Sequence, residues 1–286
     1  MQVLAVGGAT LDIINSVPVY PNEDDELRAT SHQECRGGNA TNTLVVLSQL
    51  GHQCSWAGVL GDDKSSRLIL RDLQQQGVDT QWARIQPEGF TPTSYILSSL
   101  ATGSRTIVHY RDLPEYGIEA FEQIDLANYA WIHFEGREAA VYEPMLRHAR
   151  LAAPSATISL EIEKPRTDIE RLIPLADVVI IAKAYASSHG YENALDLFEA
   201  IGTSPGSVML FATWGEDGAW LQTVDGNTLH MPAYQPGRVV DTLGAGDVFN
   251  AGVIDGLQAG LEPAEVLGRA VRLAGEKCGR RGLDIA

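Results

Sequence analysis

Val240-Asp241-Thr242-Leu243-Gly244-Ala245-Gly246-Asp247-Val248-Phe249-Asn250-Ala251-Gly252 joins an apolar lead-in to a Gly-Ala-Gly loop, with an acid where an amphipathic helix begins. Glycine lets backbone amides approach a ligand, and the first amides of a helix are unpaired donors at the positive end of its macrodipole. Phosphate is the group that suits such a place. Asp247 stands out, because a carboxylate beside a phosphate pocket repels the ligand. Two readings are open. One is an N-cap for the helix. The other is a general base that takes the proton of an attacking hydroxyl, while the loop of Gly244, Ala245 and Gly246 acts as an anion hole for the transferred phosphoryl group. The helix N-terminus is expected to keep that carboxylate ionised near neutral pH.

The rest of the chain limits the partners. Its 286 residues are 44% hydrophobic and 20% charged, values of a globular protein with a large core. A formal net charge of -16 argues against nucleic acid and anionic membranes, while leaving room for a nucleotide held by amides and a few cations. No cationic, apolar leader and no apolar run of about 18 residues is seen, so a cytoplasmic protein is expected. Cys35, Cys54 and Cys278 form no Cys-x-x-Cys pair and read as reduced packing residues. The histidines show no His-x-x-x-His spacing, so no zinc centre is expected.

Outward from the loop, strand-like and helix-like segments alternate. Residues 1–6 are an apolar run closed by Gly7-Gly8, and Asp12 follows where open α/β sheets bind ligands, or as a plain turn acid. An acidic loop spans residues 20–26 and includes Asp24. Gly37-Gly38-Asn39-Ala40-Thr41-Asn42 then brings backbone close to a ligand, and Asn39 and Asn42 share one helix face. Amides both donate and accept, which suits a neutral polyol; the alternative is an Asn-capped helix entry. Residues 54–60 read as one apolar segment and 65–76 as a helix ended by Gly77. Residues 91–100 and 105–110 alternate at period two around Ala101-Thr102-Gly103-Ser104, a hairpin without an intervening helix. Glu161 and Glu163 end a strand and share a face, either as an indirect metal site through water or as partners of Lys164. Helices are expected over about 247–259 and 263–278, the second opened by Pro263.

Residues 241–247 and 37–42 resemble the two signatures of the PfkB (ribokinase-like) carbohydrate kinases, with further matches from about residue 3 to the C-terminus. Within that family the chain is most similar to the ketohexokinases. The resemblance implies a single kinase domain over 1–286, an α/β three-layer sandwich with a mainly parallel central sheet and a small β-sheet lid from about 12–35 and 91–112. It implies transfer of the γ-phosphoryl group of ATP, with Mg2+, to a ketohexose hydroxyl, fructose at carbon 1. Asp12, Asp24, Gly38, Asn39 and Asn42 would then hold the sugar, and Arg105 would lie near the transferred phosphate. Trp214, Glu216 and Gly218 belong to the family's turn beside the nucleotide, Cys278 lies near the adenine, and Lys183 adds positive charge. The family's Asn-x-x-Glu magnesium pattern falls here on Ile181 and Ala184, a departure that questions how the metal is held. The lids are expected to join a homodimer.

Two rival readings remain: a kinase for another sugar or sugar phosphate, and a sugar- or nucleotide-binding regulator without catalysis. Arg137 bears on the first, since it can bind a second phosphate or pair with Glu135. A sugar face of Asp12, Asp24, Asn39 and Asn42 holds no cation and favours a free ketohexose over its 6-phosphate, unless Arg137 reaches it.

Overall fold

The computed structural model describes residues 1–202 and 208–285, so the expected 1–286 span includes residues 203–207 and 286 that lie outside the described residues. The first half of the chain runs β1 (Gln2–Val6), β2 (Thr10–Val17), β3 (Ser31–Gly37), α1 (Asn39–Gln49), β4 (Gln53–Ala57), β5 (Val59–Gly61), α2 (Lys64–Gln75), β6 (Val78–Asp79), β7 (Arg84–Gln86), β8 (Thr93–Ser99) and β9 (Arg105–Tyr110). It continues α3 (Ile118–Phe121), β10 (Trp131–Glu135), α4 (Ala139–Ala152), β11 (Thr157–Ile162), β12 (Val178–Ala182), α5 (Lys183–Ser188) and α6 (Ala194–Ile201). The last elements are β13 (Met209–Thr213), β14 (Ala219–Gln222), β15 (Thr228–Met231), α7 (Ala245–Gln258) and α8 (Pro263–Cys278).

A nine-stranded sheet in the order β15-β14-β13-β12-β11-β10-β1-β4-β6 forms the middle layer. It is parallel from β13 to β6 and antiparallel at the β13-β14-β15 edge. Its inner strands are apolar on both faces because helices cover both. Leu4 and Val6 of β1 join a core with Phe134, Tyr142 and Leu146, whereas Val3 and Ala5 join one with Leu44, Leu47, Val253 and Leu267. Local signals place the helix ends. Asp63 and Ser66 make a capping box at α2, and Pro263 follows the Glu262 cap of α8.

A second sheet has four strands in the order β3-β2-β8-β9. The β8-β9 hairpin turns at the expected place, with the Ser99 amide donating to the Ser104 carbonyl at 2.9 Å. The fold is therefore the expected one: a mainly parallel central sheet between helices, with a small separate sheet beside it.

Two local expectations change. Residues 54–60 break at Gly58 into β4 and β5, because a Cβ there would lie 2.2 Å from the Trp56 ring and 2.5 Å from the Gly7 carbonyl. β5 then leaves the main sheet and pairs in parallel with β7. The short helices α5 and α6 are not among the expected elements; α6 is bounded by an Asn193 N-cap and a left-handed Gly202.

β1 is the pivot. Its neighbours β4 and β10 lie on opposite sides, and the chain moves outward in both directions. A crevice opens outside the carboxyl ends of strands at such a switch point.

Candidate active site

A cavity of about 620 Å³ occupies that crevice. The ends of β1, β10, β11 and β12 supply Gly7, Gly8, Glu135, Glu161 and Ala182 to its floor, and α7 supplies Gly244 to Asp247. The small sheet supplies the facing wall with Asp12, Ser94, Ile96, Arg105 and His109.

At one end stands the glycine loop. Gly244 adopts a left-handed φ of 80° as the N-cap residue of α7. A Cβ at Gly246 would meet nothing within 4 Å, so the loop surface is open to a ligand. Asp247 falls in the first turn of α7 and is buried, and no side chain caps this helix. The Asp247 carboxylate instead accepts from Asn42 Nδ2 at 2.7 Å. Arg36 fixes that amide by donating from Nη1 to Asn42 Oδ1 at 2.5 Å, and is itself anchored through Nε on Asp72 at 2.6 Å. The relay Asp72-Arg36-Asn42 thus orients Asp247, and Arg36 and Asp72 carry no motif that marks them in the sequence.

The expectation that Asp247 is ionised at neutral pH does not hold in the unliganded cavity. Burial pushes its carboxyl up to about 8, helped by the charges of Glu163 and Glu135 and opposed by the Asn42 hydrogen bond. Desolvation outweighs the helix terminus here. Burial also holds Glu161 well above the usual carboxylate range, with the neighbouring Asp247 charge adding to it. Burial raises Asp12 likewise, against the hydrogen bond it accepts from Thr10 at 2.9 Å.

The turn before the loop is pinned from two sides. Lys277 of α8 has a fully buried side chain whose ammonium donates to the Asp241 carbonyl at 2.8 Å and to its carboxylate at 3.0 Å. Burial works to raise Asp241, but hydrogen bonds from the Leu243 amide and Lys277 more than offset it, so its carboxyl sits below the usual range. Across the cleft, Arg105 donates from Nη2 to Thr242 Oγ1 at 3.0 Å. That contact ties the small sheet to the loop.

The cavity brings together Asp12, Gly38, Asn39, Asn42, Arg105, Glu161, Glu163, Gly244, Ala245, Gly246 and Asp247. Gly38 has φ 109°, and a Cβ would lie 2.4 Å from the Gly8 carbonyl, so only glycine brings α1 this close to β1. Asn39 Nδ2 donates to Glu161 and Glu163, at 3.2 Å each. Glu163 also pairs with Lys164 at 3.2 Å, as the ion-pair reading of this acid expects.

Six residues fall elsewhere. Asp24 is exposed in a turn at φ 69°, outside the cavity, because the loop joining β2 to β3 swings away from it. Trp214 is a core residue, 4% exposed and edge-on to Trp220 with ring centroids 6.0 Å apart. Gly218, at φ 89°, serves the turn into β14, where a Cβ would strike the Met231 carbonyl at 2.1 Å. Lys183 starts α5 and faces Asp217 at 3.4 Å on the surface, and Glu216 is exposed nearby. Cys278 uses its carbonyl to accept from the amides of Val240 and Asp241 at 2.8 and 3.2 Å.

The sugar face is expected to hold no cation unless Arg137 reaches it, and Arg137 does. Arg137 lines the cavity, since Gly136 passes so close to the Glu161 carbonyl that the chain carries residue 137 over the floor. Its Nε donates to both carboxylate oxygens of Glu115 at 2.8 and 2.9 Å, and its Nη1 to Glu135 at 2.7 Å. Arg111, Glu115, Tyr116, Tyr142 and Asn250 are further lining residues without a sequence signal.

Polar atoms are left waiting in this space. Among the described residues, three buried side-chain polar atoms of lining residues, Arg105 Nη1, Arg111 Nε and Tyr142 OH, have no hydrogen-bond partner, while the Asn250 amide faces the buried Glu161 carboxyl. Buried polar groups are ordinarily satisfied, so a polar ligand or water belongs there.

A switch-point cavity that joins an open helix terminus, an adjacent buried carboxylate and a polar wall defines a phosphotransferase acting on a small hydroxyl compound. The chain belongs to the pfkB family of carbohydrate kinases, whose model matches residues 2–286. It is 39% identical to ketohexokinase from Mus musculus over 99% of this chain and 98% of that protein. Ribokinase from Bacillus subtilis is 27% identical over 96% of this chain and 91% of its own length. An Arabidopsis thaliana ribokinase solved with ribose and ATP has the same fold, with a TM-score of 0.79 at 18% identity, covering 98% of this chain and 93% of that one. A Cryptococcus neoformans ribokinase solved with ADP gives a TM-score of 0.76 at 19% identity, covering 99% and 95%.

Proposed function

We propose that the protein transfers the γ-phosphoryl group of ATP to a ketohexose, fructose at its carbon-1 hydroxyl. The observation that carries this reading is the placement of Asp247. Its carboxylate is buried beside the open Gly244–Gly246 loop and oriented by Asn42, in one cavity with Asp12, Gly38 and Asn39. Similarity to a ketohexokinase supports fructose as the sugar.

In this reading Asp247 takes the proton of the attacking hydroxyl, and the first-turn amides of α7 stabilise charge on the phosphoryl group. Arg105, the lining cation nearest the loop through Thr242, neutralises phosphate charge. Asp12, Asn39 and Asn42 orient the sugar hydroxyls. The nucleotide lies along the loop toward Thr213 and Ala182, at the side where the turn over residues 214–218 and Cys278 are found.

Magnesium fits the donors that are present. Glu161 and Glu163 bring two carboxyl groups together on the Asn39 amide inside the cavity, at 3.2 Å each. Magnesium keeps several waters and takes one or two carboxylates besides phosphates. Glu161 and Glu163 would hold its water shell, and the ion would neutralise phosphate charge. Ile181 is fully buried in the core and contributes nothing to such a site.

A coupled ADP-release screen over ketoses, aldoses, nucleosides and sugar phosphates tests the reading. Fructose is expected to give the highest kcat/KM. A nucleoside or aldose preference contradicts the sugar assignment, and absence of ADP release with every acceptor supports the non-catalytic regulator.

The outer face of the small sheet supports a homodimer. Tyr95, Val108 and Tyr110 are 53, 64 and 53% exposed there, a cross-strand apolar patch that a second copy would cover. Sedimentation at high micromolar concentration is expected to give a dimer of a cytoplasmic enzyme; a monomer overturns the assignment.

A further inference from the structure

We infer that Glu115 sets the substrate charge class, by masking two arginines so that the end of the cavity they line accepts an uncharged sugar terminus and rejects a phosphorylated one. The inference rests on the sugar-kinase reading and concerns a residue that the reading itself does not use.

Arg111 and Arg137 both line this end, and free guanidinium groups there would form a ready site for a phosphate. Neither is free. Glu115 accepts from Arg111 Nη1 at 2.6 Å and from Arg137 Nε at 2.8 and 2.9 Å, so one carboxylate spans both cations. Glu135 takes Arg137 Nη1 at 2.7 Å, and is held in place by the Gly8 amide at 2.8 Å. Within the cluster two arginines face two carboxylates, with Lys164 and Arg166 exposed on the same cavity wall outside it; burial pushes the Glu135 carboxyl up to about 7, which leaves Glu115 as the acid that offsets the arginines.

The side chains of Arg137 and Glu115 are each only 12% exposed, so the pair is shielded from the screening that weakens surface ion pairs. An incoming phosphate would have to displace or face the Glu115 carboxylate at close range. Like-charge juxtaposition in a desolvated site is a strong means of excluding a competitor. The same end still offers neutral hydrogen-bonding groups. Tyr142 OH and Arg111 Nε are buried without partners, and both suit the hydroxyls of a free sugar.

The test measures kcat/KM for fructose and for fructose 6-phosphate in the wild type, Glu115→Gln and Glu115→Asp, with folding checked by thermal denaturation. Wild type is expected to prefer fructose by at least about 100-fold, and Glu115→Gln to shift the ratio toward the 6-phosphate by about tenfold or more. Glu115→Asp keeps the charge and is expected to retain the wild-type preference. A merely structural Glu115 lowers both activities together and leaves the ratio unchanged, which overturns the proposal. Should Glu115→Gln fail to fold, the wild type decides: comparable kcat/KM for the two sugars overturns it, and strong exclusion of the 6-phosphate supports it. Wild type that turns over neither sugar removes the ketohexose reading and this proposal with it, whereas good fructose turnover with an unmoved variant ratio removes this proposal alone.

Discussion

At the end that holds Asp247 the cavity is lined by consecutive backbone, from Leu243 to Gly246, whereas another part of its wall is lined by the side chains of Arg111, Glu115, Glu135 and Arg137 from separate segments. The first end binds through amides whose direction is set by a left-handed Gly244 and the start of α7. It has few ways to change without losing the geometry. The second region depends on which charge pairs with which, and a single substitution alters its sign. A family that keeps one reaction while varying its sugars needs both kinds of construction.

The sharpest way to break this comparison is to alter the one side chain that the phosphate end requires. Asp247→Asn preserves shape but cannot accept a proton, and is expected to lower kcat by roughly 100- to 10,000-fold with ATP binding nearly unchanged. Turnover within about threefold of wild type, measured by steady-state ADP release, would remove the base assignment.

Lys277→Met tests whether the loop depends on its buried support. Removing the buried ammonium leaves Asp241 with the Leu243 and Gly282 amides and the more distant Arg105, and about 2 kcal/mol of unfolding free energy is expected to be lost. Chemical denaturation reads this directly; a loss under about 1 kcal/mol would mean that the ammonium does not hold the turn.

A pH-dependent effect follows from the raised carboxyl of Asp247. Its folded value of about 8 lies above the unfolded value of 3.8, so the group's contribution to stability is present below the unfolded value and is lost as pH rises through the folded one. The melting temperature of Asp247→Asn should therefore gain on that of wild type as pH rises across this window. A constant difference across that window would show that Asp247 is not buried at this cost.

The smallest change is expected far from either region. Arg147 pairs with Glu143 at 2.8 Å on α4, but its side chain is 60% exposed. Arg147→Ala should alter stability by less than about 0.5 kcal/mol and leave kcat/KM untouched. A larger effect would weaken the contrast drawn between buried and exposed arginines.

Legibility followed the same division. Residues 241–247 and 37–42 are contiguous, and their glycines and helix entries have local causes, so the loop, Asp247 and Asn42 could be found in the sequence. The buried strands declared themselves as apolar runs, and the β8-β9 hairpin by its alternation. Arg36 escaped because its role comes from bonding Asn42 and Asp72, the latter 36 positions away. Arg111 and Glu115 escaped for the same reason, since isolated charges become a cluster only when β9, β10 and the segment before α3 converge; the Arg137–Glu135 pair, two positions apart, is among the open readings of the sequence. Resemblance alone places Trp214 beside the nucleotide, and its burial in the core is a matter of packing that no local motif reports. The ionisation of Asp247 misled because a helix terminus is visible in sequence and desolvation is not.

The pH profile of kcat/KM for the preferred sugar tests the central claim most directly, since it reports the essential base of the free enzyme. Wild type is expected to gain activity as pH rises through about 8, while the residual activity of Asp247→Asn shows no such rise. A wild-type profile that is flat between about pH 6 and 9 would contradict the assignment of a buried, proton-retaining Asp247 as the base.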